Sequence, residues 1–411
     1  MAERLEGSRP RTIWGFNPNV FYLGVVSFLT DVSSEMIFTL VPLFLANVLG
    51  CGTMVIGLVG GISESADALL RIFSGWISDR IGKRKILAVV GYSISTIAKP
   101  FMYLASTWGL VLGVRFSDRV GKGFRSSSRD ALIADSSSAS ERGKSFGFHR
   151  MMDTSGAVVG LVIAAIVIFM FQGSGLELNL NTYRQLVLIG IIPAAVAVFV
   201  LVRFVRERRS DQTPGVGHRP SFNLFQMVRT FDTRFKIFLV VMAIFTLGNS
   251  SDFFVILRAQ DMDFSVLQIV IMLIVFNAAY AAVSLPAGKL SDRLGRKKVI
   301  VLGWSIYAGI YLGFALTSAV WQVWLLFAGY GVYYGLVEGV ARAFVSDMVP
   351  VEKRGTAYGL YHGVVGLTLL PASLIAGWLW MAYSPSAPFF FGAGLAVFAV
   401  IGLMVFVKEE A

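Results

Sequence analysis

The chain has 411 residues, 55% of them hydrophobic and 15% charged, with a formal net charge of +11. An ordinary soluble domain is about 25% charged, so this composition sets a soluble globular fold aside. Apolar runs of the about 20 residues needed to cross a bilayer follow one another from Val20 to Val407, continuous rather than alternating, which argues against a β-barrel.

Twelve spans are expected, near 19–48, 54–78, 86–105, 109–134, 144–172, 184–205, 234–257, 264–290, 299–317, 320–346, 355–383 and 387–407. One set of alternate connections is rich in Lys and Arg: "DRIGKRK", "ERGKS", "RERRSDQTPGVGHRPS", "DRLGRKK" and "EKRG". The other set, "GCGT", "STW", "TSAV" and "YSPSA", is nearly bare. That asymmetry places the basic set and both termini in the cytoplasm, as expected of a multi-pass inner-membrane protein. It also accounts for the basic charge as a topology signal rather than a nucleic-acid surface. Arg184 and Arg258 fall on the bare side near span ends, where a long side chain can snorkel. The start, "MAERLEGSRPRTIWGFNPN", has no cleavable signal pattern. One cysteine, Cys51, excludes an internal disulfide and a multi-cysteine metal site. His149, His218 and His362 are scattered, so no metal or other cofactor is expected.

Span 1 carries "FLTDVSSEM", with Asp31 and Glu35 one turn apart. Two buried carboxylates so placed resist double ionisation, which suits them to load and unload a proton. The competing reading is a structural ion pair with Arg115, Arg119 or Lys122. Span 4 carries "VRFSDRVGKGFRSSSRD", residues 114–130. On a helix, Asp118, Lys122, Arg125 and Arg129 share one face. Each charge in hydrocarbon costs at least about 2.5–3.5 kcal/mol, so the stripe must face an aqueous cavity or opposite charges. Candidates for those are Asp31 and Glu35, Arg150 and Asp153 in span 5, Asp252 in span 7, and Glu338 with Arg342 in span 10. Glu338 and Arg342 are also spaced to neutralise each other. Asn277, near Tyr280 in span 8, either lines the cavity or joins helices. Arg129 and Asp130 lie near the inner end and read as gate residues. The serines at 126–128 and 136–138 have no histidine at a convincing spacing, so an enzyme is discounted.

The 206–233 segment is the one long linker. It divides a six-helix unit at 1–205 from a second at 234–411. It reads as a tether, although "FNLFQMVRTF" also suits an interfacial amphipathic helix.

The two units repeat each other. "GWISDRIGKRK" starts at Gly75 and "GKLSDRLGRKK" at Gly288, an offset of 213 (288 − 75). Asp135, Arg142, Gly143 and Gly147 are matched by Asp347, Arg354, Gly355 and Gly359 at an offset of 212 (347 − 135). A weaker echo pairs "SSE" ending at Glu35 with "SSD" ending at Asp252. Parallel repeats of six spans occur in secondary transporters, with the substrate site between them near the midplane.

These stretches resemble the major facilitator superfamily. "GWISDRIGKRK" and its counterpart resemble its motif A. Arg115, Gly121 and Gly123 fall on its motif B positions, with Arg119 replacing a glycine. "DTSGAVVG" in span 5 resembles the antiporters' motif C without its proline. The resemblance implies an all-α fold of twelve transmembrane helices in two pseudo-twofold bundles, with spans 1, 4, 7 and 10 lining the centre. It implies a gate in which Asp79 meets the N-terminus of span 11 and Lys83 reaches Asp135, repeated by Asp292, Arg296 and Asp347. Lysine lacks the planar fork of the arginine often found in that position, so a looser latch is expected.

The expected function is proton-coupled secondary transport of a small organic solute by alternating access, with Asp31 and Glu35 as coupling residues. A carboxylate or phosphate on the solute would meet Arg115, Arg119 or Lys122, unless Asp31 and Glu35 occupy those bases. Asp118, Arg125, Asp153, Asp252, Asn277, Glu338 and Arg342 complete the expected cavity. Export by antiport is preferred. Uptake by symport of a metabolite or metal chelate is the near alternative, and a transporter-like sensor or adaptor the more distant one. The expected partners are the solute, protons and the bilayer, with no nucleic acid, and a monomeric chain.

Overall fold

The computed structural model describes residues 12–81, 84–137, 141–207, 231–350 and 353–407. The side chains of 71–81 and a few other helical positions fall outside the described set, as do the 208–230 linker and, with it, almost all of "FNLFQMVRTF". The described residues form helices and turns, with one isolated bridge between Ile13 and Phe16 and no strand.

The helices in chain order are α1 (Pro18–Phe38), α2 (Thr53–Ile81), α3 (Arg84–Ala98), α4 (Trp108–Asp135), α5 (Arg142–Phe171) and α6 (Leu180–Phe204). After the linker come α7 (Thr233–Gly248), α8 (Val266–Leu294), α9 (Arg296–Leu316), α10 (Val320–Asp347), α11 (Arg354–Ala382) and α12 (Ala387–Phe406). Short pieces extend two of them: α1 runs on through Val41–Leu43 and a wider turn, Phe44–Val48, and α7 resumes at Phe253–Asp261. Ten of these segments are long and apolar enough to cross a membrane. The other two are α3, which is short, and α4, whose charges depress its hydropathy.

Local sequence sets the ends. Asn17 caps α1 with Pro18 in the first turn, where a missing N–H costs nothing. Thr107 and Asn179 accept from Leu110 and Thr182 at the starts of α4 and α6. Ser265 and Gln268 close a reciprocal capping box on α8. Gly295, at φ 95°, makes the left-handed turn from α8 into α9, a conformation in which a Cβ is strained.

Packing follows the small residues. Helices in lipid gain little from hiding apolar surface from each other, so close approach and dispersion decide association. Within the first six helices, α1 packs chiefly on α5 and α6, and α4 on α2 and α3. Within the second six, α10 packs on α8 and α9, and α12 on α9 and α7. The two groups meet along α2 with α11 and along α5 with α8. A Cβ on Gly57 would come within 2.4 Å of the Ser373 carbonyl oxygen, and one on Gly377 within 2.7 Å of that of Thr53. At the end of the bundle away from the basic connections, Gln260 reaches Asn47 at 2.8 Å and the Leu176 carbonyl at 3.1 Å. That end is therefore closed by direct contacts between the two groups.

Arg258 does not snorkel as the sequence suggests. It is buried at 8% exposure, donating to the Phe314 carbonyl at 3.1 Å and pairing with Asp261. Tertiary carbonyls left at the end of α9 offer better partners than a headgroup.

Candidate functional site

A cavity of about 250 Å³ lies where α1, α4, the resumed part of α7 and α8 converge. From α1 come Asp31, Ser34, Glu35 and Thr39. From α4 come Arg115, Asp118, Arg119, Lys122 and Arg125. The far wall is Asp252, Phe253 and Ile256 beside the α7 break, with Leu273, Phe276 and Asn277 of α8, and α2 adds Glu64. The charges of α4 thus border a cavity, which relieves the cost of setting them in an apolar bundle.

The pairing inside this wall is specific. Lys122 Nζ lies 3.7 Å from Asp67 on α2 and Arg119 Nη1 3.8 Å from the same carboxylate. Arg119 is also 3.9 Å from Asp118. Glu35 accepts from the Thr39 hydroxyl. Asp153 on α5 stands within hydrogen-bonding range of Asp31 and Ser27 on α1. The "DTSGAVVG" glycines permit this approach, since a Cβ on Gly156 would lie 2.4 Å from the Phe28 carbonyl oxygen. His149 and Arg129 contact Ser27 from either side, at 2.9 and 3.1 Å.

Arg115 is different. It is 3% exposed, and its Nε and Nη1 have no hydrogen-bond partner. Its guanidinium sits 4.8 Å from the Phe38 ring and 5.7 Å from the Phe253 ring. Arg125 is similarly buried and lies over the Tyr92 ring at 4.8 Å.

On the opposite wall Asp252 accepts from Tyr330 at 2.7 Å and from Tyr334 at 3.1 and 3.2 Å. Glu64 accepts from Ser251 at 2.9 Å. These two carboxylates also border a second cavity of about 280 Å³, which holds Asp67, Tyr334 and His362.

Glu338 and Arg342 stand outside the central cavity. They pair at 2.8 Å, and Arg342 borders a separate pocket toward the basic end with Arg150 and Tyr280. Arg150 crosses between the two helix groups, bonding Tyr280 at 2.6 Å and lying 3.8 Å from Glu338. At the basic end, Arg296 pairs with Asp292 at 2.6 Å and Asp347 at 3.4 Å. In the first half Arg84 pairs with Asp135. Lys83 and the Asp79 side chain lie outside the described residues.

The family model of the Major Facilitator Superfamily matches residues 23–273 and 237–411. The chain belongs to the major facilitator superfamily. An uncharacterized MFS-type transporter of Methanocaldococcus jannaschii is 38% identical over 393 residues, covering 94% of each chain. The multidrug resistance protein MdtL of Escherichia coli is 30% identical over 154 residues, 37% of this chain and 39% of that one. A crystal structure of a variant of the nucleoside transporter NupG superposes with a TM-score of 0.80 at 15% identity, covering 95% of this chain and 100% of that one. At that identity the likeness shows the fold. The superfamily is one of transporters rather than enzymes, so the chain is a multi-pass membrane transporter of small molecules.

Three charged residues in this superfamily member escape the sequence reading. Glu64 and Asp67 on α2 sit in "SESAD", and Lys99 follows the end of α3 in "IAKP". Lys99 is fully buried and donates to Ser33 at 2.7 Å and Ser34 at 3.1 Å. The available signal was charge inside an apolar run, the same one that marks Asp31.

Proposed function

We propose that the protein is a proton-coupled secondary transporter that moves a small solute bearing an anionic group by alternating access, exporting it by antiport. The two moving bodies are residues 1–205 and 234–411, tethered by 206–233, with both termini in the cytoplasm of an inner-membrane protein. In that orientation the end joined by Gln260 and Asn47 faces outward. One observation carries the anion assignment: Arg115 is a buried cation bordering the central cavity with two guanidinium nitrogens, Nε and Nη1, unbonded. Asp67 and Asp118 pair with Arg119 and Lys122, while Asp31 also feels the charges of Lys122 and Arg125, and Glu35 that of Arg119. In this reading Asp31 and Glu35, which line the cavity, are the acids that carry the proton.

The export direction is supported by the multidrug-resistance name of the partial relative and by the glycine contacts of "DTSGAVVG". The cavity lies below the about 300–1,000 Å³ of drug-sized sites, which favours a compact solute over a metal chelate. The test is reconstitution into proteoliposomes with an imposed pH difference. Wild type accumulates solute only with the gradient, and the Asp31→Asn, Glu35→Gln double variant exchanges solute without accumulating it. Full gradient-driven accumulation by that variant would remove both acids from coupling.

A further inference from the structure

We propose that the central cavity takes a dipolar solute, its anion on Arg115 and its cation between Asp252 and Glu64. The proposal rests on the transport reading and narrows its substrate class to small zwitterions, an amino acid or a betaine.

The anionic pole of the solute is fixed by how Arg115 is held. A guanidinium is attracted over the face of an aromatic ring. Its N–H groups lie in its plane and form a fork matched to a carboxylate. Phe38 and Phe253 both lie close to the guanidinium carbon, and they come from different helix groups. This clamp leaves Nε and Nη1 buried and unbonded. Leaving such donors without an acceptor is costly, and no described carboxylate forms an ion pair with Arg115. Arg115 borders the cavity, and an anion arriving there supplies the missing acceptor once the buried guanidinium edge turns toward it.

The cationic pole is fixed by the α7 break. The helix stops at Gly248 and resumes at Phe253, so Ser250, Ser251 and Asp252 sit in the interruption. An ionised carboxylate has about four acceptor positions. Asp252 receives two tyrosine hydroxyls and Glu64 one serine hydroxyl, so both keep capacity for an ammonium. Tyr334 and Phe276 pack edge to face beside them, at 5.4 Å between ring centroids, giving a cation an aromatic surface as well. Ile256, Leu273 and Leu161 add an apolar patch to a wall that elsewhere carries the α1 and α4 charges.

The halves are complementary rather than equivalent. At the repeat offset of 212, Lys122 corresponds to Tyr334 and Asp118 to Tyr330. The first half presents Arg115, unbonded at Nε and Nη1, together with Glu64, and the second presents tyrosine hydroxyls around Asp252. A solute with both charges meets Arg115 and Asp252 across the two halves, whereas a solute with one charge satisfies only one of them.

The test uses the full chain in lipid nanodiscs with isothermal calorimetry. The probes are L-leucine, glycine betaine, and the two single-charge analogues of leucine, isocaproate and isoamylamine. At least one zwitterion is expected to bind. Each analogue of leucine is expected to be about ten- to a hundredfold weaker than leucine or silent, the worth of one charge-assisted hydrogen bond or more. Arg115→Gln is expected to abolish discrimination between leucine and isoamylamine, and Asp252→Asn discrimination between leucine and isocaproate. Both variants are first checked for an unchanged melting transition, and Arg115→Lys, which keeps the charge, covers a misfolded Arg115→Gln. Isocaproate binding as tightly as leucine would overturn the dipolar assignment and leave an anion transporter standing. Silence from both zwitterions would overturn it too. The transport reading is judged separately, by whether the cavity opens to each side of the membrane in turn.

Discussion

Lys122 on α4 lies 3.7 Å from Asp67 on α2, and Arg119 shares that carboxylate at 3.8 Å. One acid on a neighbouring helix thus holds two bases of the α4 stripe. Asp67→Asn is expected to lower stability, because it removes the carboxylate that two cations share inside the bundle. The loss is expected below the about 3–5 kcal/mol of a tight buried pair, since Asp67 is 13% exposed and both distances are long. Thermal unfolding in detergent measures it. The Asp67→Asn, Lys122→Gln double variant is expected to recover part of the loss, and no recovery would mean that the pairing is incidental.

Two kinds of glycine contact give opposite outcomes. Gly156 joins α1 to α5 within one group, and Gly57 joins α2 to α11 between groups. A Cβ would fall 2.4 Å from a backbone oxygen in both places. Gly156→Val is expected to reduce folded yield, because overpacking costs about 1–3 kcal/mol or more. Gly57→Val is expected to fold but to disfavour closure of the outward end, read as raised reactivity of a thiol placed at Asn47. Gly109→Ala, with open space around it, is the control.

The basic-end ion pairs are expected to govern conformation rather than folding. Asp347 and Asp292 are 54% and 63% exposed, and exposed pairs are worth about 0–1 kcal/mol. Arg296→Gln is therefore expected to leave the melting temperature within a few degrees of wild type. It is expected to change the inner-side reactivity of a cysteine replacing Ser284. A large drop in melting temperature would make Arg296 a folding residue instead.

Arg150 bridges the groups through Tyr280 and Glu338. Arg150→Ala and Tyr280→Phe are expected to alter transport rate in the same direction, with the double variant no worse than the stronger single. Additive effects in this cycle would show the two residues acting independently.

Much of the architecture was legible because the bilayer makes the physics severe. Apolar length, basic connections and a repeated loop motif led to the superfamily fold, and charges stranded in spans 1, 4 and 7 led to the cavity. Glu64, Asp67 and Lys99 carry the same signal but lack the stripe that singles out α4 or the echo that links Glu35 to Asp252. Glu338 and Arg342 were readable as charges, but a helix of 28 residues spans both the cavity and the mouth below it, and sequence spacing does not give depth. The pairing of Asp67 with two α4 bases depends on which faces of α2 and α4 meet, a tertiary property. The α7 break was hidden because "GNSSD" is readable as a serine-rich turn within a span as easily as a gap. Tyrosine hydroxyls aimed at Asp252 follow from the packing of α10 and not from any motif.

The most direct test of the account is the two-sided accessibility of the cavity. Asn277→Cys in a Cys51→Ser background puts a single thiol on the cavity wall, to be treated with a membrane-impermeant maleimide in right-side-out and inside-out vesicles. Modification from both sides, slowed by bound solute, is the expected result. Modification from one side alone under every condition would contradict alternating access through this cavity.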